Sequence, residues 1–132
     1  MELTIAFISA AIIMGALDYV WLGYVGKKIY YSEMGELLLK KPNMVPALIF
    51  YVIYVVGTVV FVVSPALEKE SLIYAAGMGA LFGFVAYATY DLTNLATMKG
   101  YSRKIVVIDL LWGALITALT AAGAYLAVQL LG

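Results

Sequence analysis

Long apolar stretches alternate with short charged ones along the whole chain. The first apolar stretch runs from Leu3 to Tyr24 and is broken only by Asp18. The second covers 45–63, the third 72–96 with Asp91 and Asn94 inside it, and the fourth 105–131 with Asp109 and Gln129 inside it. Each supplies the ~20 residues that a helix needs to cross a ~30 Å hydrocarbon layer. Strict alternation over about ten residues, the mark of a membrane barrel strand, is missing. A backbone in lipid must satisfy its own hydrogen bonds, so these stretches are helices. The pattern predicts one all-α integral membrane domain over 1–132, a bundle of four transmembrane helices at about 3–24, 45–63, 72–96 and 105–131. The first stretch starts Met1-Glu2 with no basic lead and exceeds a signal peptide's apolar core, so it is expected to remain as the first helix.

Composition supports the same reading. The chain is 65% hydrophobic and 12% charged, against about 25% charged residues in soluble domains. A soluble fold of 132 residues has no interior large enough for so much apolar surface. Cysteine and histidine are absent, which excludes disulfides, thiolate chemistry and imidazole acid–base catalysis. Formal net charge is zero, so no global field attracts nucleic acid.

The charges are segregated. Lys27, Lys28, Lys40 and Lys41 fall between the first two helices, and Lys99, Arg103 and Lys104 between the last two; Lys69 alone lies between the second and third. The positive-inside rule makes loops 25–44 and 97–104 cytoplasmic and puts both termini outside, in a multi-pass protein of the cytoplasmic (inner) membrane. From Lys27 to Lys41 the first loop has a helical pattern with Tyr30, Met34, Leu37 and Leu38 on one side, predicting a short amphipathic helix in the interface. Pro42 ends it, and Pro46 suits the first turn of the next helix.

Topology then aligns the acids. Asp18 lies nine residues before Lys27, Asp91 eight before Lys99, and Asp109 five after Lys104. All three fall roughly 7–14 Å inside the basic rim. A carboxylate facing lipid costs roughly 2.5–3.5 kcal/mol, so the three are expected to face the bundle interior. Tyr87, Tyr90, Asp91 and Asn94 share one face of the third helix, and Tyr51 and Tyr54 sit at a similar depth on the second. Asp18 with Trp21 and Asp109 with Trp112 are acid–indole pairs three residues apart, so each pair shares a face. So short a match follows from chance or common interfacial chemistry more readily than from a repeat of the kind transporters carry. The tryptophans and tyrosines taken singly fit an ordinary aromatic belt. Together the ten residues predict a polar, aromatic-walled pocket open to the cytoplasm. Gly79 and Gly83 form a small-residue motif for close helix packing, and the same motif admits a homo-oligomer.

Such a pocket suits a cation, a divalent metal or a shared proton. No nucleophile motif or phosphate-cradling loop accompanies it, and no cofactor is evident. The best reading is binding or transport of a small solute or cation, with a lipid as a further candidate ligand. A lipid-modifying enzyme or accessory subunit at the cytoplasmic headgroups, and a structural assembly protein, are the alternatives.

The segments Leu17–Gly23, Phe50–Tyr54, Ala86–Thr97 and Asp109–Gly113 together resemble the predicted membrane proteins of domain of unknown function 2177. The resemblance covers nearly the whole chain and is most specific over Tyr87–Thr97. It implies a small prokaryotic membrane protein with four helices, and it brings no catalytic role to any residue.

Overall fold

The computed structural model describes residues 1–25, 27–34 and 43–132, and it is helical throughout apart from short turns. Helix α1 (Glu2–Val20) runs into a π-helical turn (Trp21–Val25), and α2 (Lys27–Met34) follows. Helix α3 (Met44–Thr58) passes through a second π stretch (Val59–Val63) into α4 (Ser64–Lys69). The chain is completed by α5 (Leu72–Thr97) and α6 (Arg103–Leu131). Four continuous helical runs, Glu2–Tyr24, Met44–Lys69, Leu72–Thr97 and Arg103–Leu131, are long and apolar enough to span a membrane. No strand occurs among the described residues.

The ends follow local chemistry. Asn43, Ser71 and Ser102 each cap a helix, accepting from the N–H of Val45, Tyr74 and Ile105 at 3.1, 3.0 and 3.2 Å. The second run departs from expectation, for it continues to Lys69 rather than ending near Val63. Pro65 sits in the first turn of α4, where its missing N–H is not needed, and the π stretch before it takes up the change of register. The turn into α5 is therefore tight, with Glu70 in the left-handed region at φ 51°. Of the interfacial helix, α2 is present; Leu37, Leu38, Lys40, Lys41 and Pro42 lie outside the described residues.

Helix α6 is the axis of the bundle and carries the most buried residues. Its partner α5 lies against it through glycine. A Cβ on Gly79 would stand 2.8 Å from the Thr117 carbonyl oxygen and 3.0 Å from Ala118 Cα, and one on Gly83 would overlap the Gly113 carbonyl. The Gly79/Gly83 motif thus serves packing within this chain, letting two backbones touch where dispersion, not water, drives association. Helix α1 packs antiparallel to α6: Ile13 lies against Gly123, and Glu2 lies beside Gly132. Helix α3 leans on both sides, with the Tyr51 hydroxyl donating to the Ala11 carbonyl and the Phe82 ring packing on Gly57, where an added Cβ would stand 3.3 Å from it.

The core is apolar at one end, among Ala6, Ala10, Val62, Ala121, Ala124 and Val128. At the other end, beneath α2, it is polar. The outside carries exposed Ile8, Ile12, Val52, Ile53, Phe61 and Leu115, a surface that only lipid or another apolar partner can cover.

Candidate functional site

A cavity of about 450 Å³ opens at the α2 end of the bundle. Asp18 projects from α1 and Asp109 from α6, and both line it. Trp21 comes from the π turn and Trp112 from α6, and their rings stack at 4.5 Å with an interplanar angle of 9°. Tyr30 of α2, Phe50, Tyr51 and Tyr54 of α3 and Tyr87 of α5 complete the aromatic lining. None of the described lining residues is basic.

The two acid–indole pairs cross over. Trp112 Nε1 donates to Asp18 Oδ1 at 3.4 Å, a long bond. Trp21 Nε1 donates to the Tyr30 hydroxyl at 3.2 Å, and that hydroxyl donates to Asp109 Oδ1. Each tryptophan therefore serves the acid of the other helix, Trp112 directly and Trp21 through Tyr30. The tyrosines of α3 point their hydroxyls away from the cavity. Tyr51 reaches Ala11, and Tyr54 pairs with Thr117 Oγ1 at 2.8 Å. Their rings are left to face the space, with Tyr54 edge-on to Tyr87 at 6.4 Å and 86°.

Asp91 and Asn94 line neither this cavity nor its neighbour. Asp91 is 0% exposed, and its carboxyl neighbours that of Asp109. Its Oδ1 accepts from the Tyr101 hydroxyl at 2.8 Å, while its Oδ2 has no partner. Asn94 is half-buried beside the Tyr101 hydroxyl. Tyr90 is 61% exposed and borders an adjoining cavity of about 390 Å³ that shares Phe50, Tyr87 and Asp109 with the first. The polar face of α5 expected from the sequence is thus divided between cavity, buried pair and surface.

Tyr30 and Tyr101 are the site residues that sequence reasoning missed. Tyr30 was placed on the apolar side of the interfacial helix, and there a phenol can reach down as well as lie flat. Tyr101 sits in a basic loop, immediately before the cap Ser102. Burial raises the pKa of both phenols, and hydrogen bonds to Asp109 and Asp91 respectively raise it further. Both therefore remain protonated donors at neutral pH. Ser102 also fastens α2 in place, its hydroxyl donating to Glu33 at 2.8 Å.

Tyr101→Phe leaves a fully buried carboxyl with its one donor removed. Loss of roughly 1–3 kcal/mol of stability is expected. Thermal unfolding in detergent checks this, and Asp91→Asn combined with Tyr101→Phe should recover part of the loss.

Two acids, stacked indoles and tyrosine rings line the cavity, with no basic side chain among the described lining residues. The rings supply negative π-faces and the acids a counter-charge. Among the described residues no group of three acid side chains converges closely enough to hold a metal ion. The family described as Predicted membrane protein (DUF2177) matches residues 3–126. The chain belongs to this family. The matched span contains every cavity residue described above, together with Asp91 and Tyr101. No curated protein and no solved structure matches the chain.

Proposed function

We propose that this membrane protein binds a small organic cation in the cavity beneath α2 and carries it across the bilayer. One observation carries the reading: Asp18 and Asp109 share an aromatic cavity of about 450 Å³ whose described lining holds no basic residue. That volume lies in the range of small-ligand sites, about 300–1,000 Å³. A cation over an aromatic face gains about 0.5–2 kcal/mol, and a nearby carboxylate adds a longer-range attraction. The lining also includes Leu22, Met44 and Leu48, all more than half exposed. They open one side towards the acyl chains, so a cation with an apolar substituent fits better than a fully hydrated one.

Both tryptophans of the chain border this cavity, so intrinsic fluorescence reports on it directly. Titrating purified protein with benzyltrimethylammonium should give a saturable change in emission. A flat titration at every concentration would remove the reading.

Orientation belongs to the same proposal. Lys28, Lys99, Arg103 and Lys104 flank the cavity end of the bundle, and the positive-inside rule makes that end cytoplasmic, with both termini outside. A reporter active only in the cytoplasm should be silent when fused after Gly132. Full activity there would reverse the orientation.

A further inference from the structure

The cavity reading leaves Asp91 unused. It is a fully buried acid on which one oxygen has a donor and the other has none. Asp109 is 8% exposed, neighbours Asp91 and lines the cavity. Among the described residues, the titratable groups that reach the pair are Tyr30 from α2 and Tyr101 from the α5–α6 turn. On the cavity side Asp18 of α1, Tyr51 and Tyr54 of α3 and Tyr87 of α5 line the same space as Asp109. Every one of these is acidic or neutral. Arg103 and Lys104, at the start of α6, are exposed.

Two ionised carboxylates in contact, out of water and without a cation, repel strongly; two acids that close share a proton. One proton converts the contact into a charge-assisted O–H···O bond and gives the unpartnered Asp91 oxygen its hydrogen. Asp109 is then the hinge of the arrangement, because whatever binds at its cavity face acts on the shared proton. Resting on the cavity as a cation site, we infer that Asp91 and Asp109 hold one proton between them and that a bound organic cation displaces it, so the protein exchanges organic cations for protons.

The balance closes. Before binding, the pair carries one negative charge and one proton. The cation arrives at Asp109, the acid O–H bond breaks, and the proton leaves to water. Two carboxylates and one organic cation remain, so one positive charge has entered and one has left. Proton and cation compete, so affinity rises with pH and falls as acid refills the pair.

Infrared spectroscopy tests the pair without needing a ligand. Purified wild-type protein at neutral pH should show the C=O stretch of one buried protonated carboxyl. Asp91→Asn and Asp109→Asn should each abolish that band, and Asp18→Asn should retain it. Saturating benzyltrimethylammonium should abolish the wild-type band and release one proton per cation into weakly buffered solution. No band in the wild type, or a band lost only in Asp18→Asn, would overturn the proton pair. A band that persists with cation bound would overturn the exchange. A band that follows Asp91 and Asp109 with no fluorescence response to the cation would fail the cavity reading and leave the pair standing. The wild-type measurements decide the matter even where a variant does not fold.

Discussion

Asp109→Asn is expected to weaken organic-cation binding by about 100-fold and to leave the bundle folded. Removing one charge of a desolvated pair typically costs about 2–5 kcal/mol, and each 1.4 kcal/mol is roughly tenfold in affinity. The fold tolerates the change because the amide keeps the shape of the side chain. Its carbonyl still accepts from Tyr30, and its N–H supplies a donor beside a buried carboxyl. The comparison is a fluorescence titration of variant against wild type, with thermal unfolding as the folding control. An unchanged dissociation constant in a folded variant would show that Asp109 is not the counter-charge.

Gly83→Leu has the largest expected effect on the fold. The Cβ alone would meet the Gly113 carbonyl and stand 2.5 Å from Thr117 Oγ1, so α5 and α6 must separate. Overpacking in a core costs about 1–3 kcal/mol, and a backbone-to-backbone seam has no side chain that can yield, so about 3 kcal/mol or more is expected. The damage reaches the cavity. Tyr87 lies one turn beyond Gly83 with its ring on Gly113, and it moves when the seam opens. Gly77→Leu is the matched control, since nothing stands within 4 Å of a Cβ there. Melting both variants in detergent should show a large drop for Gly83→Leu and little change for Gly77→Leu. Equal behaviour would mean that the seam is not where α5 and α6 meet.

The spans were legible because hydropathy over twenty residues is set by lipid and by little else. Counting from the basic rim puts Asp18, Asp91 and Asp109 on one level; in the structure Asp18 and Asp109 line one cavity and Asp91 neighbours Asp109. Azimuth was not legible. Spacing on α5 groups Tyr87, Tyr90, Asp91 and Asn94, but a helix face about 100° wide can meet more than one neighbour. Here it meets α6, the α5–α6 turn and open surface at once. The second helix outruns its apolar stretch, because a π stretch carries it past Val63 and through Pro65 to Lys69, where hydropathy has already ended. Tyr30 was out of reach for another reason. Its bond to Asp109 joins residues 79 apart in sequence, and an amphipathic pattern shows which side of α2 is apolar without showing what lies beneath it.

The two acid–indole pairs show the same limit. Their common face on each helix was readable, and their stacking was not. That stacking, with the indoles bonded crosswise towards the opposite acids, makes two tryptophans far apart in sequence into one wall of the cavity.

The central claim is that the cavity selects positive charge and not merely apolar shape. Calorimetry on the purified protein with a matched pair of ligands tests it most directly: benzyltrimethylammonium, and neopentylbenzene, which has the same shape with carbon in place of the charged nitrogen. The cation should bind and be displaced as pH falls, while the neutral isostere should bind far more weakly and without pH dependence. Equal affinity for the two would contradict the account, for it would make the cavity an apolar cleft in which Asp18 and Asp109 play no part in recognition.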